Sequence, residues 1–271
     1  MRSRAGVVGL AIVTVVVAVC LASVFGWLAH EPNAQDPLSR LQAPDGEHWF
    51  GTDRFGRDVF ARVAAGLLNS SLIALVAVAF SAVVGTVAGV AAGFFRGAAD
   101  AAVSGVTNVL FAFPPLLLAL ALASVLTRNW FTVAVAIAVV YTPIFIRVTR
   151  GPVLSLREIE FVRAARAAGR TAPAIMFRHI LPNITSIVIV QITLSLSWAV
   201  LTEASLSFLG LGTPPPAPSL GSMIYEARTL VNIAPWTMIA PGLVMIALVV
   251  GLNLLGDGVR DALDPQGRGR R

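Results

Sequence analysis

Charged side chains leave six long gaps in this chain. Ala5 to Ala29 runs for 25 residues without Asp, Glu, Lys or Arg, Val63 to Phe95 for 33, and Ala101 to Thr127 for 27. Asn129 to Ile146 adds 18, His179 to Thr202 adds 24, and Thr229 to Gly256 adds 28. About 20 apolar residues in a helix cross a hydrocarbon layer of about 30 Å. Lipid offers no water to satisfy main-chain N–H and C=O groups, so each run is predicted to be helical. Helices buried in a water-soluble protein would carry polar faces that these runs lack. The predicted fold class is all-α: a polytopic membrane protein with six transmembrane helices.

The pattern also divides the chain. Residues 1–30 hold an N-terminal tail and the first span, 31–66 an external loop, 67–256 a core of five spans, and 257–271 a cytoplasmic tail. Arg2 and Arg4 precede the first run as in a secretory signal. That run exceeds the ~7–15-residue core of a signal and no small-x-small cleavage site closes it, so an uncleaved span is expected. In the external loop, Asp58 is placed to cap a short interfacial helix reaching Arg62. Gly85, Gly89 and Gly93 recur at spacing four in the second span, where small residues let helices approach closely. Phe113-Pro114-Pro115 predicts a kink or break in the third.

The segment 147–180 between the fourth and fifth spans is the most structured loop in prospect. Leu154 to Ala168 is helix-compatible, with Arg163, Arg166 and Arg170 spaced to share one face. Gly169 stops that helix. Thr171 is placed to cap a second short helix with Pro173 in its first turn, and Pro182 opens the fifth span. Two ordered cytoplasmic helices suggest a docking surface, against the alternative of an interfacial helix held by anionic lipid. After the fifth span, Leu209 to Pro216 cannot continue as helix, because its three prolines remove donors.

Composition agrees. The chain is 56% hydrophobic and 13% charged, against roughly 25% charged in soluble domains. All 20 basic residues are arginine. With the N-terminus inside, 14 arginines fall on cytoplasmic segments and 6 on external ones, which fits the positive-inside bias. The net charge of +6 then belongs to inner loops near anionic lipid, and nucleic-acid binding is not indicated. Cys20 is the only cysteine, so no internal disulfide is expected.

Candidate chemistry is sparse. A phosphate-binding loop of the Walker type needs a lysine, and the chain has none, so it holds no such loop. His30, His48 and His179 lie at membrane boundaries, too scattered in sequence to suggest a metal site. Glu203, late in the fifth span, is an acid at membrane depth, where acids are costly and usually functional. A structural hydrogen bond and a contact to a substrate amine both remain open for it. Asn108, Gln191 and Asn253 are further polar residues inside spans; Glu203, Asn108 and Gln191 are the candidate pathway residues. A membrane-embedded enzyme would need paired acids or a Ser/His site at depth, and a self-contained secondary transporter would need inverted repeats. Neither pattern stands out.

Four motifs in order carry a resemblance. Phe161-Val-Arg-Ala-Ala-Arg-Ala-Ala-Gly169 with Phe177-Arg-His-Ile-Leu-Pro-Asn183 resembles the coupling loop of bacterial binding-protein-dependent ABC importer permeases. Gly51-Thr-Asp-Arg-Phe-Gly-Arg-Asp58 resembles a signature of the dipeptide/oligopeptide/nickel permeases of C-subunit type. Glu203 to Gly212 and Leu255 to Pro265 are similar to that subgroup's later motifs. The resemblance implies a type I importer fold in a bacterial cytoplasmic membrane with both termini inside. It implies a homologous second permease, two cytoplasmic ATPase subunits holding ATP and magnesium, and an external solute-binding protein, with no cofactor on this chain. It implies an ATPase-coupling helix using Glu160, Arg163, Ala164, Ala165, Ala168 and Gly169. It gives structural loop roles to Gly51, Thr52, Asp53, Gly56, Arg57, Asp58 and Pro182. Arg163 departs from the family, which has glutamate there. Peptides and nickel or metal chelates stay open as substrates.

Overall fold

A computed structural model describes residues 4–263. Arg2, Pro265 of the last motif, and the tail from residue 264 onward lie outside the described residues. The helices are α1 (Arg4–Val24), α2 (Val59–Phe95), α3 (Gly97–Phe111), α4 (Pro115–Val125), α5 (Trp130–Leu156), α6 (Glu160–Ala167), α7 (Ala172–Ile175), α8 (Leu181–Phe208), α9 (Leu220–Ala227) and α10 (Trp236–Leu263). Among the described residues no strand forms; one isolated bridge pairs Thr52 with Asp58. Five helical stretches are long and apolar enough to cross a membrane, and the bent pair α3–α4 makes a sixth if it counts as one span.

The centre of the bundle is the α2–α5 contact, and glycine makes it. A Cβ on Gly85 would come within 2.5 Å of Phe145 Cβ, and one on Gly93 within 2.9 Å of Val153 Cβ. One on Gly89 would strike Thr149 Oγ1 and lie 2.6 Å from the Ile146 carbonyl. The spacing-four stripe is thus a seam where two backbones touch, as lipid-embedded helices allow when side chains are small. Phe145, Ile137, Ile73 and Leu67 fill the core around it, all fully or nearly fully buried.

The outermost span is held in a similar way. Gly6 faces Gly258, with an added Cβ 2.8 Å from the Gly258 Cα, and Gly251 faces Ile12. So α1 and α10 run antiparallel, which puts the two ends of the described chain on one side of the bundle. Large apolar side chains such as Val8, Val15, Val87 and Leu243 point outward, as a lipid-facing perimeter requires.

Helix ends differ from the sequence expectation in three places. Asp58 does cap a helix, accepting the Ala61 N–H at 2.7 Å, but that helix is the 37-residue α2, not a short interfacial one. Arg62 is no obstacle, because Asn33 Oδ1 at 3.1 Å and Asp53 at 3.6 Å satisfy its charge inside the protein. The third run does break at Pro114-Pro115, as expected, and turns by 93°. The helix expected from Leu154 to Ala168 is two helices: α5 ends at Leu156 and α6 starts at Glu160. Between them, Arg157 donates to the Phe94 carbonyl at the end of α2, at 2.5 Å, and Ile159 is extended. Finally, the Thr171 side chain makes no cap bond. The short helix α7 instead continues through a π-helical turn, Met176–Ile180, into α8. The Leu181 N–H reaches back to the Met176 carbonyl. Pro182 next in line has no N–H, and a wider turn accommodates that loss.

Candidate functional site

Two constellations stand at opposite ends of the bundle. The first is an elbow at the end that carries both described termini. Val162 is the one buried residue of α6. It packs with Val90 and Phe94 of α2, Val153 of α5, Ile175 of α7, and Ile180 and Ile184 at the entry to α8. This second apolar cluster joins α6 to the ends of three spans. The rest of α6 is exposed, including Glu160, Arg163 and Ala164, as is Ala168 at its C-cap, while Ala165 is half-buried.

Local sequence explains the elbow's sharp end. Gly169 sits at φ +75°, a conformation that costs other residues roughly 1–2 kcal/mol. The Arg170 N–H bonds the Ala165 carbonyl at 3.1 Å and the Gly169 N–H bonds the Arg166 carbonyl at 3.0 Å. That pair of bonds is the Schellman motif, and it satisfies carbonyls the helix would leave orphaned. The arginines do not share a face as their spacing suggested, because the helix stops before Arg170. Arg163 reaches Glu158 at 3.4 Å, and Arg166 lies 5.0 Å over the Phe94 ring. Hydrogen bonding from Arg157 holds the exposed Glu158 carboxyl below its ordinary pKa. On the same side, Arg150 grips Asp100 of α3 through two bonds of 2.5 and 2.8 Å.

The second constellation is a polar cap over the N-terminal ends of α2 and α10, joined to α9. Each residue of the Gly51–Asp58 motif has a place in it. Gly51, at φ +68°, leaves room for Trp236, whose Nε1 would otherwise lie 2.8 Å from a Cβ. Trp236 Nε1–H donates to the Thr52 carbonyl at 3.1 Å. Thr52 is fully buried, its hydroxyl donating to Ser39 O and accepting from the Gln42 N–H. Asp53 accepts the Phe55 and Arg57 N–H groups at 2.8 and 3.0 Å. Gly56, at φ +73°, turns against the Asp36 carbonyl. Arg57 bridges Asp53 at 2.6 Å to Glu226 of α9 at 3.2 Å. Asp58 caps α2 with one oxygen and accepts His48 Nδ1–H with the other, at 2.9 Å.

Asp58→Ala removes both bonds at once. Loss of a good N-cap costs about 1–2 kcal/mol, so the variant is expected to melt measurably lower by fluorescence-monitored thermal unfolding in detergent. An unchanged melting temperature contradicts the capping role.

The candidate pathway residues are not gathered at one point. Glu203 is fully buried, beneath α9 rather than at the interface. Its Oε1 accepts from Ser207 Oγ at 2.6 Å, Ser219 Oγ lies 3.1 Å from Ser207 Oγ, and Oε2 has no hydrogen-bond partner. Gln191 bonds Ser195 on its own helix at 3.1 Å, while Asn108 is exposed on α3. Asn253 does join neighbouring helices, accepting from Ser197 of α8 at 2.9 Å.

Sequence reading missed one grouping. His30 and His48, 18 residues apart, bring their rings to 4.7 Å. Only the folded cap makes them neighbours; His179 stays apart at the elbow, beside Phe161.

Comparison with known proteins agrees with this architecture. A family described as "Binding-protein-dependent transport system inner membrane component" matches residues 85–268. The dipeptide transport system permease protein DppC of Alkalihalophilus pseudofirmus is 41% identical over 267 residues, covering 98% of this chain and 87% of that protein. The probable D,D-dipeptide transport system permease protein DdpC of Escherichia coli is 38% identical, covering 95% and 87%. The glutathione transport system permease protein GsiD of Pectobacterium atrosepticum is 40% identical, covering 83% and 75%. Among solved structures, the MetNI methionine ABC transporter in an inward-facing conformation matches with a TM-score of 0.59 at 21% identity, covering 73% of this chain and 94% of that one.

Proposed function

The chain belongs to the binding-protein-dependent transport system inner membrane components, and from that premise we propose that it is the peptide-conducting permease subunit of an ATP-driven importer. It works with a homologous second permease, two cytoplasmic ATPase subunits that hold ATP and magnesium, and an external solute-binding protein. The relatives reported above are named for dipeptides, D,D-dipeptides and glutathione, which favours peptides over nickel or metal chelates.

One observation supports the mechanism most: α6 turns Glu160, Phe161, Arg163, Ala164 and Arg166 outward, while its single buried side chain, Val162, is packed against the ends of three spans. A partner that moves α6 therefore moves α2, α5 and α8 with it, since packed interiors transmit displacement. In this reading the elbow faces the cytoplasm and docks on an ATPase subunit through Glu160, Arg163, Ala164, Ala165, Ala168 and Gly169. The arginine-rich loops of residues 147–180 then meet the positive-inside bias, and both termini are cytoplasmic. The Gly51–Asp58 cap lies outside, where the solute-binding protein delivers its ligand. The chain performs no hydrolysis; it converts closure of the ATPase pair into alternate exposure of the pathway.

The test is uptake by the complete complex in proteoliposomes. Labelled dipeptide is expected to accumulate only with ATP, the binding protein and this subunit all present, and a nickel chelate is not. Uptake driven by this chain alone, or ATP-dependent uptake of nickel chelate in place of dipeptide, overturns the reading.

A further inference from the structure

We propose that His30, Glu47 and His48 form a zinc site in the outer cap, tying the segment that leaves α1 to the loop that starts α2. One ligand atom from each of the three lies within 4.8 Å of the other two. Two imidazoles and a carboxylate are a donor set suited to zinc, with the fourth position open to water. The site is oriented from behind. Asp58, only 4% exposed, accepts His48 Nδ1–H at 2.9 Å, and a carboxylate can only accept there, so the His48 Nε2 keeps its lone pair. Asp58 is itself held by the Ala61 N–H at 2.7 Å. A buried carboxylate that fixes the tautomer of a histidine is the usual support of a metal-binding imidazole.

Position favours the same cation. His30, Glu47 and Asp58 line a cavity of about 650 Å³, wide enough to admit a hydrated ion. The external segment from Glu31 to Asp58 contains six acids, which draws cations toward it. Tetrahedral zinc ligands sit about 3.3 Å apart at bond lengths of about 2.0–2.1 Å, so no pair must close by more than about 1.5 Å. Glu47 is exposed and its side chain is free to swing in. The His30 Nε2 lies 3.2 Å from the Glu47 carbonyl, so the two segments already meet at this point.

Tag-free, chelator-stripped full-length protein in nanodiscs is titrated with zinc chloride by calorimetry, with nickel and copper chlorides run in parallel. About one zinc per chain is expected, and zinc is expected to raise the melting temperature. His30→Ala, and Glu47→Gln as an exposed change that spares the fold, are each expected to weaken zinc binding by about 10-fold or more. His179→Ala, at the other end of the bundle, is expected to bind as the parent does. A loss of affinity in either cap variant supports the site. No stoichiometric zinc binding by the parent, or parental affinity in both cap variants, overturns it.

Discussion

Gly89→Leu is expected to prevent accumulation of folded protein in the membrane, while Gly105→Ala is expected to be silent or slightly stabilising. The two glycines differ in what surrounds them. A Cβ at Gly89 would collide with Thr149 Oγ1 and approach the Ile146 carbonyl to 2.6 Å, whereas one at Gly105 meets nothing within 4 Å. Even Gly89→Ala must push α2 and α5 apart. Overpacking of a tight core costs about 1–3 kcal/mol and sometimes more, and the larger leucine multiplies the displacement along the whole seam. At Gly105, alanine instead gains up to about 1 kcal/mol of helix propensity. Membrane yield, monodispersity on size exclusion and thermal unfolding of the purified variants check the pair. A monodisperse Gly89→Leu protein with parental stability would show that the two helices are not in backbone contact.

The second large effect concerns the elbow. Gly169→Val is expected to cut substrate uptake at least several-fold in the reconstituted complex while ATP hydrolysis continues. Nothing lies within 4 Å of a Cβ at Gly169, so the added side chain meets no clash. The damage comes from the backbone at φ +75°, which costs a non-glycine residue about 1–2 kcal/mol and most of all a β-branched one. The chain escapes that strain by undoing the Schellman bonds, and α6 loses its fixed aim. Val162→Ala is expected to uncouple by a different route, since removing two methyls from a fully buried peg costs about 1–3 kcal/mol and loosens α6 from the spans. The check is the ratio of uptake to hydrolysis, measured together. If Gly169→Val lowers hydrolysis and uptake in proportion, or neither, the elbow is not the transmission element.

Much of this was legible in residue order, and the reasons for the failures are specific. The charge-free runs overlap all five long apolar helices and the bent α3–α4 pair, because lipid excludes charge wherever it is unpaired. They misplaced the start of α2 because Arg62 is paired, out of sight of any window, by Asn33 and Asp53. Pro114-Pro115 announced a break, but not its 93° angle, which depends on how α3 and α4 pack on α5. The periodic arginines assumed a helix that Gly169 ends one residue too early for Arg170. The π-helical turn before α8 has no periodic signature at all. The Gly51–Asp58 motif was readable as a structural loop, whereas its reach to Glu226 and Trp236, more than 160 residues later, was not. The separation of His30 and His48 along the chain hides their pairing, which only the folded cap brings about.

The unbroken passage from α7 through the π-helical turn into α8 has a mechanical corollary. Ala172 to Phe208 is one 37-residue rod, about 55 Å long at 1.5 Å per residue. One tip is seated in the elbow cluster, and Glu203 and Ser207 near the other tip are pinned beneath α9. A rod of that length pivoting by about 10° at mid-height swings its tips by about 5 Å in opposite directions. A seesaw of this kind opens one mouth of a channel by the same stroke that shuts the other, with no messenger needed between them.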